Sequence, residues 1–92
     1  MNTYKMKPYG PLVTNENVAK EIYGNIIKMN PKINKVTIDM RGIITMTTQC
    51  AKAIFGQLYR ELGYSVFYQN ISIINKTDTI SKIIRMSIED CK

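Results

Sequence analysis

Histidine and tryptophan are absent, and there are only two cysteines and three prolines. Without histidine the chain lacks the commonest general base and the commonest metal ligand. Two cysteines cannot complete a zinc site alone, and a secreted scaffold of this size usually carries more of them. Both are therefore expected to be reduced, Cys50 as a small core residue in an apolar helical pattern and Cys91 frayed beside the C-terminus. No Gly-x-Gly-x-x-Gly and no Walker-type phosphate loop is present. The acids Glu16, Glu21, Asp39, Glu61, Asp78, Glu89 and Asp90 form no spaced pair suited to acid–base work. The expectation is a chain without catalysis of its own, without a metal and without a cofactor. No apolar run approaches the about 20 residues that a membrane span needs, and no apolar stretch follows the N-terminal lysine as in a signal peptide. A cytoplasmic protein with no membrane partner is expected.

What is present suits one small folded unit. Ninety-two residues, 45% of them hydrophobic, can bury a single core, so residues 1–92 read as one domain. The net charge of +6 allows an acidic partner or nucleic acid. The basic residues are dispersed, however, with no run of like charge. Val18, Ile22, Ile26 and Met29 recur at helical spacing between Asn15 and Met29. Thr14 or Asn15 can cap that helix, Glu16 suits its first turn, and Pro31 blocks its continuation. In Lys35–Met40, Val36, Ile38 and Met40 alternate with Thr37 and Asp39, a strand pattern. Arg41-Gly42 turns the chain, and Asp39 is expected to accept amide bonds near Gly42.

A second helical stripe follows on Ala51, Ile54, Phe55, Leu58 and Leu62, with Gly63 as its left-handed cap. Cys50, Ala53 and Gly56 are small residues that let this helix approach a sheet closely. Tyr64–Tyr68 reads as strand or irregular chain, and Ile71–Ile74 as a strand. Thr77 or Thr79 caps a third helix with Ile80, Ile83, Ile84 and Ile88 on one side. Asn2–Met6 and Leu12–Val13 are weaker strand candidates. The alternation β, α, β, α, β, α predicts an α/β fold with a mixed, mostly parallel sheet of 3–5 strands and about three helices. In such sheets the functional crevice lies beyond the carboxyl ends of the strands, which points to Thr45–Gln49, the loop entering the second helix.

The stretch from Val36 to Gly56 resembles the centre of STAS domains, the anti-sigma-factor-antagonist modules: a hydrophobic-Asp-hydrophobic strand, a short turn, then a hydroxyl-rich loop opening a helix. It is closer still to a divergent STAS-like family of unknown function. Asp39, Gly42, Thr47-Thr48, Phe55-Gly56, Leu62-Gly63, Phe67 and Asn75 stand at positions that fit that family's pattern. In the anti-sigma-factor antagonists the loop reads Asp-Ser-Ser-Gly, and its second serine is phosphorylated by a partner kinase. Aligned through Asp39 and Ile43, the tetrad falls on Thr47-Thr48-Gln49-Cys50. Gln49 occupies the phosphoacceptor position and cannot take phosphate; Thr48, one residue away, is the candidate phosphoacceptor instead, with Thr47 as the alternative.

The resemblance implies a regulatory protein-interaction module that docks a histidine-kinase-type ATPase through Thr45, Met46, Thr47, Thr48 and Gln49 with neighbouring Lys52. A plainer reading stands beside it, in which Thr47 and Thr48 are helix caps, Met46 is core, and Asp39 and Gly42 only shape a turn. Two other functions fit the composition: a small basic nucleic-acid-binding protein, and a phage or mobile-element inhibitor of a host complex. A homodimer is compatible with each, because an edge strand is expected.

Overall fold

Alternation along Val36–Asp39 sets the centre of the sheet. Val36 and Ile38 are fully buried while Thr37 and Asp39 are partly exposed, as period-two side-chain placement requires. The computed structural model describes residues 2–91. Within it β1 (Asn2–Lys5) and β5 (Ile71–Ile74) flank β3 (Val36–Asp39), both parallel to it. Lys5 lies opposite Asp39, and Asp39 opposite Ile74, so the three strands end level.

A second ladder, β2 (Leu12–Val13) with β4 (Thr45–Met46), continues the first two strands. β1 reaches β2 through a 3-10 turn at Lys7–Tyr9 and a cis Gly10–Pro11 peptide. β3 reaches β4 through Gly42, whose φ of 89° favours glycine. A Cβ on Gly10 would lie 2.6 Å from the Gly42 carbonyl oxygen, so the two bends are stacked in direct contact. Two neighbouring strands therefore bend together and pair again beyond the bend. All described strand pairs are parallel, a stricter outcome than the mixed sheet expected.

Helix α1 (Glu16–Lys28) starts where Asn15 Oδ1 accepts from the amides of Asn17 and Val18, at 2.8 and 3.4 Å, and buries Ala19, Ile22 and Ile26. The next helical run comprises α2 (Thr48–Ala51), a π-helical turn (Lys52–Gly56) and α3 (Gln57–Asn70). The π turn buries Ile54, Phe55 and Gly56 in succession, because α1 packs on one side of it and α4 (Asp78–Glu89) on the other. Thr77 Oγ1 caps α4 by accepting from the Ile80 amide at 3.2 Å, and Ile80, Ile84 and Ile88 face the core.

Three expectations change. Gly63 does not end the second helix as a left-handed cap. Its φ of 81° comes with a ψ of 167°, a region essentially restricted to glycine, and the helix resumes at once. Tyr64–Tyr68 is accordingly helical. Its rings fit that form, with Tyr64 and Tyr68 one turn apart at a centroid distance of 5.0 Å and Phe67 packed edge-on against Tyr59 at 5.7 Å. Cys91 is not frayed either: its Sγ lies 2.6 Å from where a Cβ on Gly56 would stand. Gly56 thus admits the end of α4 rather than the sheet.

The helices cover one face of the three-stranded sheet. Tyr4, Val36, Ile38, Ile71 and Ile73 share that face by register, and each is buried or partly buried in the core. Thr3, Lys5, Thr37, Asp39, Ser72 and Ile74 point the other way and are exposed or partly exposed.

Candidate functional site: the mouth of α2

The chain leaves β4 and enters α2 at Thr47. Thr47 has extended backbone angles (φ −71°, ψ 157°), and its Oγ1 accepts from the Cys50 amide at 3.1 Å. This is an N-cap of the usual kind. Thr48 and Gln49 follow on the first turn and are exposed. Among the described residues nothing accepts from the Thr48 or Gln49 amide. The first turn of a helix leaves such donors unsatisfied and carries partial positive charge. The mouth therefore faces solvent with two free N–H groups.

The residues read from sequence divide here. Thr45, Thr47, Thr48 and Gln49 come together at the mouth, with Thr45 and Thr47 partly exposed. Met46 does not belong to the surface. It is 3% exposed and lies in the core, because β4 alternates and its neighbour Thr45 takes the outward position. Lys52 sits a turn further on, with its ammonium 3.1 Å from Asp90 Oδ2 at the end of α4. That exposed pair ties the π turn to α4 weakly and occupies the charge that was expected to meet a partner.

Sequence reading missed two exposed apolar residues on the segments that lead to the mouth. Leu12 is 54% exposed and Ile44 63% exposed. Leu12 lies opposite Thr45 in the second ladder, and Ile44 joins it through its amide, which donates to the Pro11 carbonyl at 2.8 Å. A signal existed for Ile44: Ile43 and Ile44 are adjacent in extended chain, so one of the pair must face outward. Ile43 is the buried one.

Asp39 and Gly42 shape the bend that sets β4 in place. Asp39 Oδ1 accepts from the Arg41 amide at 2.9 Å and from the Asn75 side-chain amide at 2.9 Å. These bonds, the Asn75 bond foremost and then the Arg41 bond, hold the Asp39 carboxyl below its ordinary range, with the charges of Arg41 and Lys5 adding to them. Asp39 thus links the β3–β4 turn to the end of β5.

The model of the STAS-like domain of unknown function matches residues 18–81. The chain belongs to that family. The matched segment runs from α1 into α4 and includes the whole α2 mouth. Neither curated proteins nor solved structures give a significant match. In this STAS-like domain no helix among the described residues is long and apolar enough to cross a membrane.

Proposed function

We propose that this STAS-like domain is a non-catalytic regulatory module that binds a protein partner at the α2 mouth. The observation that carries the reading is the exposed Thr48 and Gln49, with their free amides, together with two large apolar side chains, Leu12 and Ile44, left in solvent on the paired segments that lead into the mouth. Apolar anchors rimmed by polar groups are the usual composition of a protein interface. The resemblance to anti-sigma-factor antagonists supports a histidine-kinase-type ATPase as the partner. The exposed Thr48 hydroxyl on the first turn supports Thr48 as the phosphoacceptor. A phosphate there would meet the free first-turn amides and the positive end of the helix, switching the charge of the docking surface. Lys52, paired to Asp90, serves at the rim.

The test is calorimetric titration of the domain with the histidine-kinase-type ATPase of its own cell. Ile44→Glu and Leu12→Glu should each weaken the complex by about tenfold or more, as loss of a buried apolar anchor does. Thr37→Ala, on the open face of the sheet, should leave it unchanged. Binding that ignores both mouth substitutions would remove the docking site from the α2 mouth. Binding to an oligonucleotide with a steep salt dependence and no protein complex would favour the nucleic-acid reading instead.

A further inference from the structure

We infer that the open face of the sheet carries a second site, a cleft for a small phosphate-bearing anion formed by Lys5, Lys7 and Arg41. The proposal is independent of partner docking at the α2 mouth.

The three cations are scattered in sequence and are gathered by register. Lys5 ends β1 directly opposite Asp39, which ends β3. Lys7 and Arg41 follow in the turns after these two strands, and both face the same cleft as Lys5. Together with Asp39 these residues line a cleft of about 190 Å³. Lys7 is held in position by its stem: a Cβ on Gly42 would come within 3.0 Å of Lys7 Cγ, so the aliphatic chain lies directly on the bend. Among the described residues none of the three cations forms an ion pair; the pairs present are Lys32–Glu61 and Lys52–Asp90. The one carboxylate in the cleft has an oxygen already committed to Asn75 and the Arg41 amide. Three cations against one carboxylate leave the cleft with a surplus of two positive charges.

Position, size and charge together select the ligand class. The cleft lies beyond the carboxyl ends of parallel strands, where open α/β sheets bind their ligands. Its volume is below the roughly 300–1,000 Å³ of pockets for whole drug-sized molecules. It equals the space of roughly six waters, at about 30 Å³ each. That suits a charged head group and not an entire cofactor. A phosphate monoester, dianionic near neutral pH, cancels the surplus of two charges, whereas a phosphodiester cancels half of it. Arg41 supplies the planar donor fork that phosphate oxygens favour, and the lysines supply point charges.

The experiment is a titration of the full chain with inorganic phosphate at neutral pH, followed by amide NMR and matched in ionic strength by sodium chloride. The amides of residues 5–7 and 39–42 should shift along a saturating curve with phosphate and not with chloride. The double variant Lys7→Ala/Arg41→Ala, with its folded spectrum retained, should weaken binding by about tenfold or more. Asp39→Asn removes the repelling charge and should tighten it by roughly threefold to fivefold. Should the double variant unfold, Lys5→Gln on the exposed strand end carries the same test. Non-saturating shifts identical to those of chloride would overturn the proposal, as would affinity unchanged in the folded variants. A single-stranded oligonucleotide binding more tightly than adenosine monophosphate at equal phosphate concentration would overturn it in favour of a nucleic-acid surface.

Discussion

The covered and open faces of the three-stranded sheet come from the same twelve residues and do opposite work. On the covered face Val36 and Ile38 lose all contact with solvent beneath the helices. On the open face Thr37 and Asp39, their immediate neighbours in sequence, remain partly exposed and polar. Parallel sheets are ordinarily covered on both faces. Here the helical layer closes one face, and the other keeps Thr, Ser, Lys and Asp at its outward positions, with Ile74 the one large apolar residue among them. Core packing thereby falls on one set of alternate residues, and the other set is left to solvent.

Substitutions that differ only in face should separate most widely. Ile38→Ala removes a fully buried side chain and is expected to cost about 2–5 kcal/mol. Thr37→Ala, one residue away, should stay within about 0.5 kcal/mol. Urea unfolding of the two variants makes the comparison, and equal losses would break it. A smaller effect is expected at Gly63. A Cβ there meets nothing within 4 Å, so Gly63→Ala is opposed only by the backbone angles, at about 1–3 kcal/mol. A loss close to zero in the same assay would mean that the break in the helix is not fixed by glycine.

The two threonine caps sharpen the division between structure and function. Thr47→Ala and Thr77→Ala each delete one side-chain bond to a first-turn amide and should each cost about 1 kcal/mol in thermal unfolding. Only Thr47→Ala should also alter partner binding, because Thr77 is remote from the mouth in sequence and caps a different helix. Equal binding by both variants would reduce Thr47 to a cap alone.

The smallest effect is at Asp39. Its folded-state carboxyl titrates below the unfolded value, chiefly because of the Asn75 bond. The stability it contributes is therefore present above the unfolded pKa of about 3.9 and is lost as pH falls through the lower folded value. Asp39→Asn should flatten the acid limb of the stability–pH curve by lowering the neutral region toward the acid value. An acid limb of undiminished slope would remove Asp39 from the account. At the alkaline end Tyr4 behaves in the opposite sense. Burial foremost, and then the bond its hydroxyl donates to Tyr9 at 2.8 Å, push its pKa up to about 12.

The helices were legible wherever a cap and an apolar stripe agreed. Asn15 with Val18, Ile22 and Ile26 marked α1, and Thr77 with Ile80, Ile84 and Ile88 marked α4. The strand at Val36–Asp39 was legible from alternation alone. The helix after Gly63 was not, because Tyr64, Val66, Phe67 and Tyr68 favour strands as residue types, and their edge-to-face contacts with one another and with Tyr59 form only once the segment is helical. Leu12–Val13 was legible as a strand and forms β2, but its pairing with β4 was not, so the exposure of Leu12 could not be read before that ladder was in place. The Lys5, Lys7 and Arg41 cleft depends on parallel register between strands more than thirty residues apart, which no local spacing records.

Hydrogen exchange on the domain, alone and with the proposed histidine-kinase-type ATPase partner, tests the central claim most directly. Slowed exchange confined to residues 44–50, with the Thr48 and Gln49 amides protected most, is the predicted result. Protection that spares this segment and falls instead on the groove between β5 and α4, around Phe67, Ile84 and Arg85, would contradict it.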